Sequence, residues 1–265
     1  MSNNSANSKR IAKNTFVLYV RMIFLMIISL YTSRVILKAL GIDDFGVYNV
    51  VGGFVALFAV LSKSLSGAAS RFLNYEMGKG NLVKLKKVFS TTLLIQIILS
   101  VLIAILAEII GIWFVNNKMV IDIERLIAAN WVFQFSVLTF CFNLVTVPFH
   151  AAIIAHEKMT VFAYIGIFEG LGKLLICYLV MMSSFDKLIF YSLLMFLIQF
   201  AVSSFNQLYC MGHFSECRFR FQFDKKLMVE IFSYASWNMI GSSSAILRNQ
   251  GGNLGAAGIS CVSLS

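Results

Sequence analysis

Six stretches of this chain, at 16–40, 46–66, 88–115, 126–148, 159–182 and 187–210, are long apolar runs in which charges are rare, and nothing else in the sequence constrains the fold as much. Each approaches the ~20 residues that a helix needs to cross ~30 Å of hydrocarbon at ~1.5 Å per residue. Lipid offers backbone amides no partner, so each run must close its own hydrogen bonds. Barrel strands would alternate apolar and polar residues over ~10 positions, and these runs do not alternate. Composition agrees: 13% of the 265 residues are charged, about half of what keeps a soluble domain wet. The chain is therefore expected to be all-α, a polytopic bundle of transmembrane helices with no soluble domain.

The runs divide the chain into a cytoplasmic tail over 1–14, a six-helix lobe over 15–212, a cytoplasmic linker over 213–226, a seventh span over 227–250 and a tail over 251–265. The first run continues to Leu40 without a small-residue cleavage site, so it reads as a retained span rather than a signal peptide. Gly67–Lys87 reads as a basic loop with its turn at Met77–Asn81, either lying on the inner leaflet or solvated. The last segment carries Gly251, Gly252, Gly255 and Gly258, each disfavouring helix by roughly 1 kcal/mol relative to alanine. The seventh span is thus expected to be truncated, the chain stopping inside a larger architecture.

Cationic residues set an orientation. With the amino terminus inside, Lys9, Arg10, Lys13, Lys63, Arg71, Lys79, Lys84, Lys86, Lys87, Lys158, Arg218, Arg220, Lys225 and Lys226 fall on the cytoplasmic side. Only Lys38, Lys118, Arg125 and Lys187 fall on the other. Fourteen against four is a strong positive-inside bias. The net charge of +10 is accounted for by cytoplasmic segments meeting anionic headgroups, and no nucleic-acid partner is implied.

Charges inside the spans cost several kcal/mol each unless paired or hydrated, which makes them the candidates for function. They are Arg21, Arg34, Glu108, Glu169, Lys173 and Arg248. Glu169 and Lys173 stand four apart in the favourable order for an intrahelical pair. Gly166, Gly170 and Gly172 beside them would admit a neighbouring helix. The pair reads either as a polar patch facing a cavity or as a self-neutralised pair that locks packing. Arg34 can grip a phosphate through its planar fork of donors, or snorkel outwards as Lys38 does. Arg21 reads as a snorkelling residue near the inner interface, and Glu108 as an interfacial carboxylate.

Other residues carry less. His150 and His156 have the wrong spacing for one helix face and read as loop histidines rather than metal ligands. Cys141, Cys177, Cys210, Cys217 and Cys261 form no metal pattern and read as structural. Trp113 reads as an interfacial anchor, Trp131 and Trp237 as lying deeper, and the 25 phenylalanines as lipid-facing or packing bulk. No nucleophile-and-base motif or phosphate-cradling glycine loop with lysine is present, so no enzyme, cofactor or metal is expected.

Three segments resemble a known group. Thr32-Ser-Arg-Val35 with Leu40-Gly-Ile-Asp-Asp-Phe-Gly-Val-Tyr-Asn-Val-Val-Gly-Gly53 is similar to the opening of polysaccharide-biosynthesis (O-antigen) flippases of the multidrug/oligosaccharidyl-lipid/polysaccharide exporter superfamily. Phe149–Met159 resembles the motif after their fourth span, and Tyr234–Ser244 their seventh. The resemblance implies two six-helix lobes around a cavity that opens alternately to either side. It also implies transport of undecaprenyl-pyrophosphate-linked oligosaccharide across the inner membrane, with membrane lipids and glycan-assembly proteins as further partners. The resemblance implies that Arg34 and Lys173 meet the pyrophosphate or acidic sugars, with Arg248 of Leu247-Arg-Asn-Gln250 as a third; Glu169, beside Lys173, joins them as a candidate substrate contact from its place in the pair. A multidrug or cation antiporter of the same superfamily is the alternative, and it would want more intramembrane acids than Glu108 and Glu169.

Overall fold

The computed structural model describes residues 2–56, 59–117, 125–218, 224–238 and 241. Among these the regular structure is helical: α1 Ser2–Leu40, α2 Ile42–Ala56, α3 Ala59–Gly78, α4 Leu82–Asn117, α5 Leu126–Ala155, α6 Met159–Met182, α7 Lys187–His213, a 3-10 turn at Ser215–Cys217, and α8 over 225–238. Within them, 14–40, 82–116, 126–155, 159–182 and 187–213 are each long and apolar enough to cross a membrane. The chain is an all-α, multi-pass membrane bundle.

The second expected span, 46–66, falls on α2 and the start of α3, neither of which is by itself among the helices long and apolar enough to cross a membrane; residues 57 and 58 lie outside the described residues. The expected loop at Gly67–Lys87 is mostly helix. Leu65, Ala68, Ala69 and Leu73 recur at helical spacing and are buried, as are Leu85, Val88 and Phe89 on α4. That periodicity, rather than absence of charge, holds the chain helical on both sides of a tight turn. Gly80 supplies the turn at φ +67°, and Asn81 Oδ1 accepts from Lys84 N at 3.1 Å to cap α4.

Helix α5 is the hub. It packs against α2, α3, α4, α6 and α7, and 56% of its most apolar stretch is buried, against 6% for α1, which leans chiefly on α6. Phe133 of α5 is fully buried against Gly111 of α4, where an added Cβ would stand 2.1 Å from the ring. Helix α8 runs antiparallel to α3, docking Leu227, Ile231 and Ala235 onto Leu65, Ala68 and Ile95 of α3 and α4.

The connections sort into two ends. At one, Arg125 before α5 donates to Asp186 Oδ2 at 2.6 Å and stands 3.2 Å from Asp44 Oδ2. One guanidinium thus joins the α1–α2, α4–α5 and α6–α7 connections. Asp186 also caps α7 by accepting from Leu188 N and Ile189 N. Asp44 is buried, and that burial raises its carboxyl above the ordinary 3.8 despite the neighbouring arginine. At the other end His156 pairs with the buried Glu216 and stacks on Phe214, rings 4.0 Å apart. Nearby, a hydrogen bond with Cys210, aided by burial, pushes the Cys217 thiol up.

Candidate functional site

Helices α1 and α6 run parallel in close register. Leu25 and Ile28 lie over Gly170, and further along Tyr31 Oη and Tyr178 Oη are 3.3 Å apart. A Cβ at Gly170 would come within 2.9 Å of Leu25 Cδ2. The glycines therefore let the two backbones approach, as small residues do between membrane helices. Gly172 faces the other way, onto Ile198 of α7.

This seam gathers the charges. Lys173 Nζ donates to Glu169 Oε1 at 2.5 Å, near the middle of the 24-residue α6. Arg21 of α1 is half-buried and turned into the seam, against Gly166 and over the Phe162 ring at 4.2 Å. Glu169 acts electrostatically on both Arg21 and His150. His150 stands edge-on to Phe162, ring centroids 5.5 Å apart. Three helices therefore bring Arg21 and His150 to one aromatic ring, within electrostatic reach of Glu169, which is paired with Lys173.

Two sequence expectations are corrected here. Arg21 does not snorkel: Gly166 leaves the space its guanidinium occupies, and Phe162 offers a π-face. His150 is not in a loop but on α5, which continues to Ala155. Neither was legible, because nothing in α1 or α5 alone reveals which helix will lie alongside. Glu169 and Lys173 do form the expected pair, and one carboxylate now serves two cations.

Arg34 is exposed on α1, thirteen residues beyond Arg21, hence ~20 Å along the helix and on another face. It is not part of the seam. Glu108 accepts from Gln134 Nε2 at 2.9 Å, tying α4 to α5. Arg248 lies outside the described residues. A separate cavity of about 310 Å³ sits between α2, α5 and α7, lined by Tyr48, Gly52, Phe135, Asn143 and Ser192 among others. Arg34, Glu169 and Lys173 are not among its lining. Trp113 and Trp131 are each about half exposed, Trp131 stacked on Phe135, and Trp237 is more exposed than either.

No protein-family model matches the chain, and no curated protein sequence does. Among solved structures, it is similar to the outward-facing conformation of a multidrug resistance MATE family transporter of the MOP superfamily, with a TM-score of 0.73 at 12% identity. The match covers 91% of this chain and 55% of that one, so the chain spans about half the length of that transporter. At this identity the likeness is one of fold: the helices are arranged as in a transporter of that superfamily.

Proposed function

We propose that the chain forms a lobe of a flippase that moves undecaprenyl-pyrophosphate-linked oligosaccharide from the cytoplasmic to the periplasmic leaflet of the inner membrane, for surface polysaccharide synthesis. The observation that carries this reading is the α1–α6 seam, where Arg21 and Lys173 face the single carboxylate of Glu169. A surplus of positive charge at membrane depth favours an anion, and a pyrophosphate-bearing substrate supplies one. Arg34, exposed on another face of the same helix, is a separate cation that the substrate would meet away from the seam. The flippase-like segments at Thr32–Gly53, Phe149–Met159 and Tyr234–Ser244 point the same way. The orientation that goes with it has the amino terminus in the cytoplasm, as the distribution of lysine and arginine favours.

The test is binding of an undecaprenyl-pyrophosphate-linked oligosaccharide to the detergent-solubilised chain, followed by native mass spectrometry. Arg34→Gln and Lys173→Gln are each expected to weaken binding about tenfold, with Lys173→Arg retaining it. Unchanged binding in both glutamine variants rejects the assignment. The second reading is a drug or cation antiporter, favoured by the fold likeness and by the placement of Glu169 between two cations. It predicts proton release from proteoliposomes on addition of a cationic dye, abolished in Glu169→Gln.

A further inference from the structure

Outside the seam, a cavity of about 700 Å³ lies between the second half of α3 and α8. That volume falls within the ~300–1,000 Å³ typical of small-molecule sites. It sits at the end of the bundle that holds the α3–α4 turn. Its walls come from two helical stripes. On α3, Arg71 and Tyr75 stand one turn apart; on α8, Lys226, Glu230, Tyr234 and Trp237 recur at spacings of four, four and three. A different α8 face, through Leu227, Ile231 and Ala235, is used up in docking onto the lobe. Of the other stripe, Tyr234 packs edge-on to Phe72, and Lys226, Glu230 and Trp237 line the cavity.

The chemistry of this stripe is specific. The Arg71 guanidinium lies over the Tyr234 ring at 4.3 Å, which holds the fork of donors in place without neutralising it. Arg71, Lys226 and Glu230 make no ion pair among the described residues. Trp237 is 72% exposed and offers a ring face rather than packing into the lobe, while Tyr75, 58% exposed, lines the cavity with Lys79 Nζ over its ring at 4.1 Å. Two cations with no ion-pair partner among the described residues suit a phosphate. Flat aromatic faces suit the apolar side of a sugar ring, and the Glu230 carboxylate can accept from its hydroxyls.

We infer that the α3–α8 cavity is a second binding site, which takes the sugar-phosphate headgroup of a lipid-linked glycan. The choice of a lipid-linked glycan rests on the flippase reading; the phosphate-and-sugar chemistry of the cavity does not. A plain anionic phospholipid shares the phosphate but lacks the ring for which the aromatic walls are built.

Trp237 provides the readout. In a Trp113→Phe, Trp131→Phe background it is the only tryptophan left. Three probes are titrated into the solubilised chain: a short-chain prenyl pyrophosphate carrying one N-acetylhexosamine, the same prenyl pyrophosphate without sugar, and phosphatidylglycerol in nanodiscs. The sugar-bearing probe is expected to change Trp237 emission at a concentration at least about tenfold below either other probe. Arg71→Ala with Lys226→Ala is expected to weaken it at least about tenfold, while Arg71→Lys with Lys226→Arg retains most binding and controls for folding. Tyr75→Ala is expected to abolish the preference for sugar. Equal response to all three probes, or unchanged binding in the alanine double variant, overturns the proposal. Arg34→Gln with Lys173→Gln separates the two assignments: it leaves Trp237 titration intact if the cavity binds by itself, whatever becomes of the seam.

Discussion

Gly111 shows how tightly a single position is set. A methyl group there would overlap the ring of Phe133, which is fully buried at the hub helix and has nowhere to move. Gly111→Ala is expected to destabilise the protein by about 1–3 kcal/mol, with Phe133→Leu in the same chain recovering part of the loss, read from thermal unfolding in detergent. The charges of the seam give a second, asymmetric expectation. Glu169→Gln strands both Lys173 and Arg21, whereas Lys173→Met still leaves Arg21 to meet Glu169. The first substitution should cost about 1–3 kcal/mol and the second distinctly less, below the full value for a buried pair because both side chains are partly exposed. A larger loss from Lys173→Met would contradict the shared carboxylate. The Glu169–Lys173 pair was legible in the sequence because both partners lie on one helix. Arg21 and His150 were not, since their meaning depends on tertiary neighbours.

Among the elements, the apolar runs were readable one by one, but the ends of α3 and α4 were not. The apolar runs break off at Ser66 and resume at Val88, whereas the helices obey the 3.6-residue recurrence of Leu65, Ala68, Ala69, Leu73, Leu85, Val88 and Phe89, which tolerates lysines on the outer face. The Met77–Asn81 turn was found because Gly80 and Asn81 have turn and cap chemistry of their own. The Arg125 junction could not be read from spacing, as its partners lie 81 positions before it and 61 after it in the chain. It carries a pH dependence. Burial raises Asp44 above its unfolded value of 3.8, so folding prefers the protonated form. Its contribution is complete below pH 3.8 and is lost as pH rises through the higher folded-state value. Asp44→Asn should therefore flatten this part of the stability profile, measured as unfolding temperature across the acid range. A steeper profile in the variant would reject it. Asp186→Ala removes the α7 cap as well as an ion pair, and is expected to cost about 1–2 kcal/mol at neutral pH.

For the whole molecule, alternation of connections between two ends follows from the helix order, while orientation relative to the cell rests on charge bias. Cysteines placed singly at Lys79 and Lys187, in a background lacking the native ones, should react from opposite sides with a membrane-impermeant thiol reagent. Labelling of both in intact cells would break the topology, and labelling of the position 79 variant alone would invert it. Fold class was accessible from the sequence because lipid leaves so few solutions for long apolar runs. The α3–α8 cavity was not, because its two stripes lie about 150 positions apart and neither is unusual alone.

Helix α1 touches the bundle mainly along its glycine-floored edge with α6, and among the described residues nothing covers its opposite flank of Tyr19, Met22, Ile23, Met26, Ile27 and Leu30. A rod fastened along one smooth margin can rock about that margin while the hub keeps its packing. Load arriving at the first span would then be taken up by roll along that margin, sparing the five-way joinery around α5.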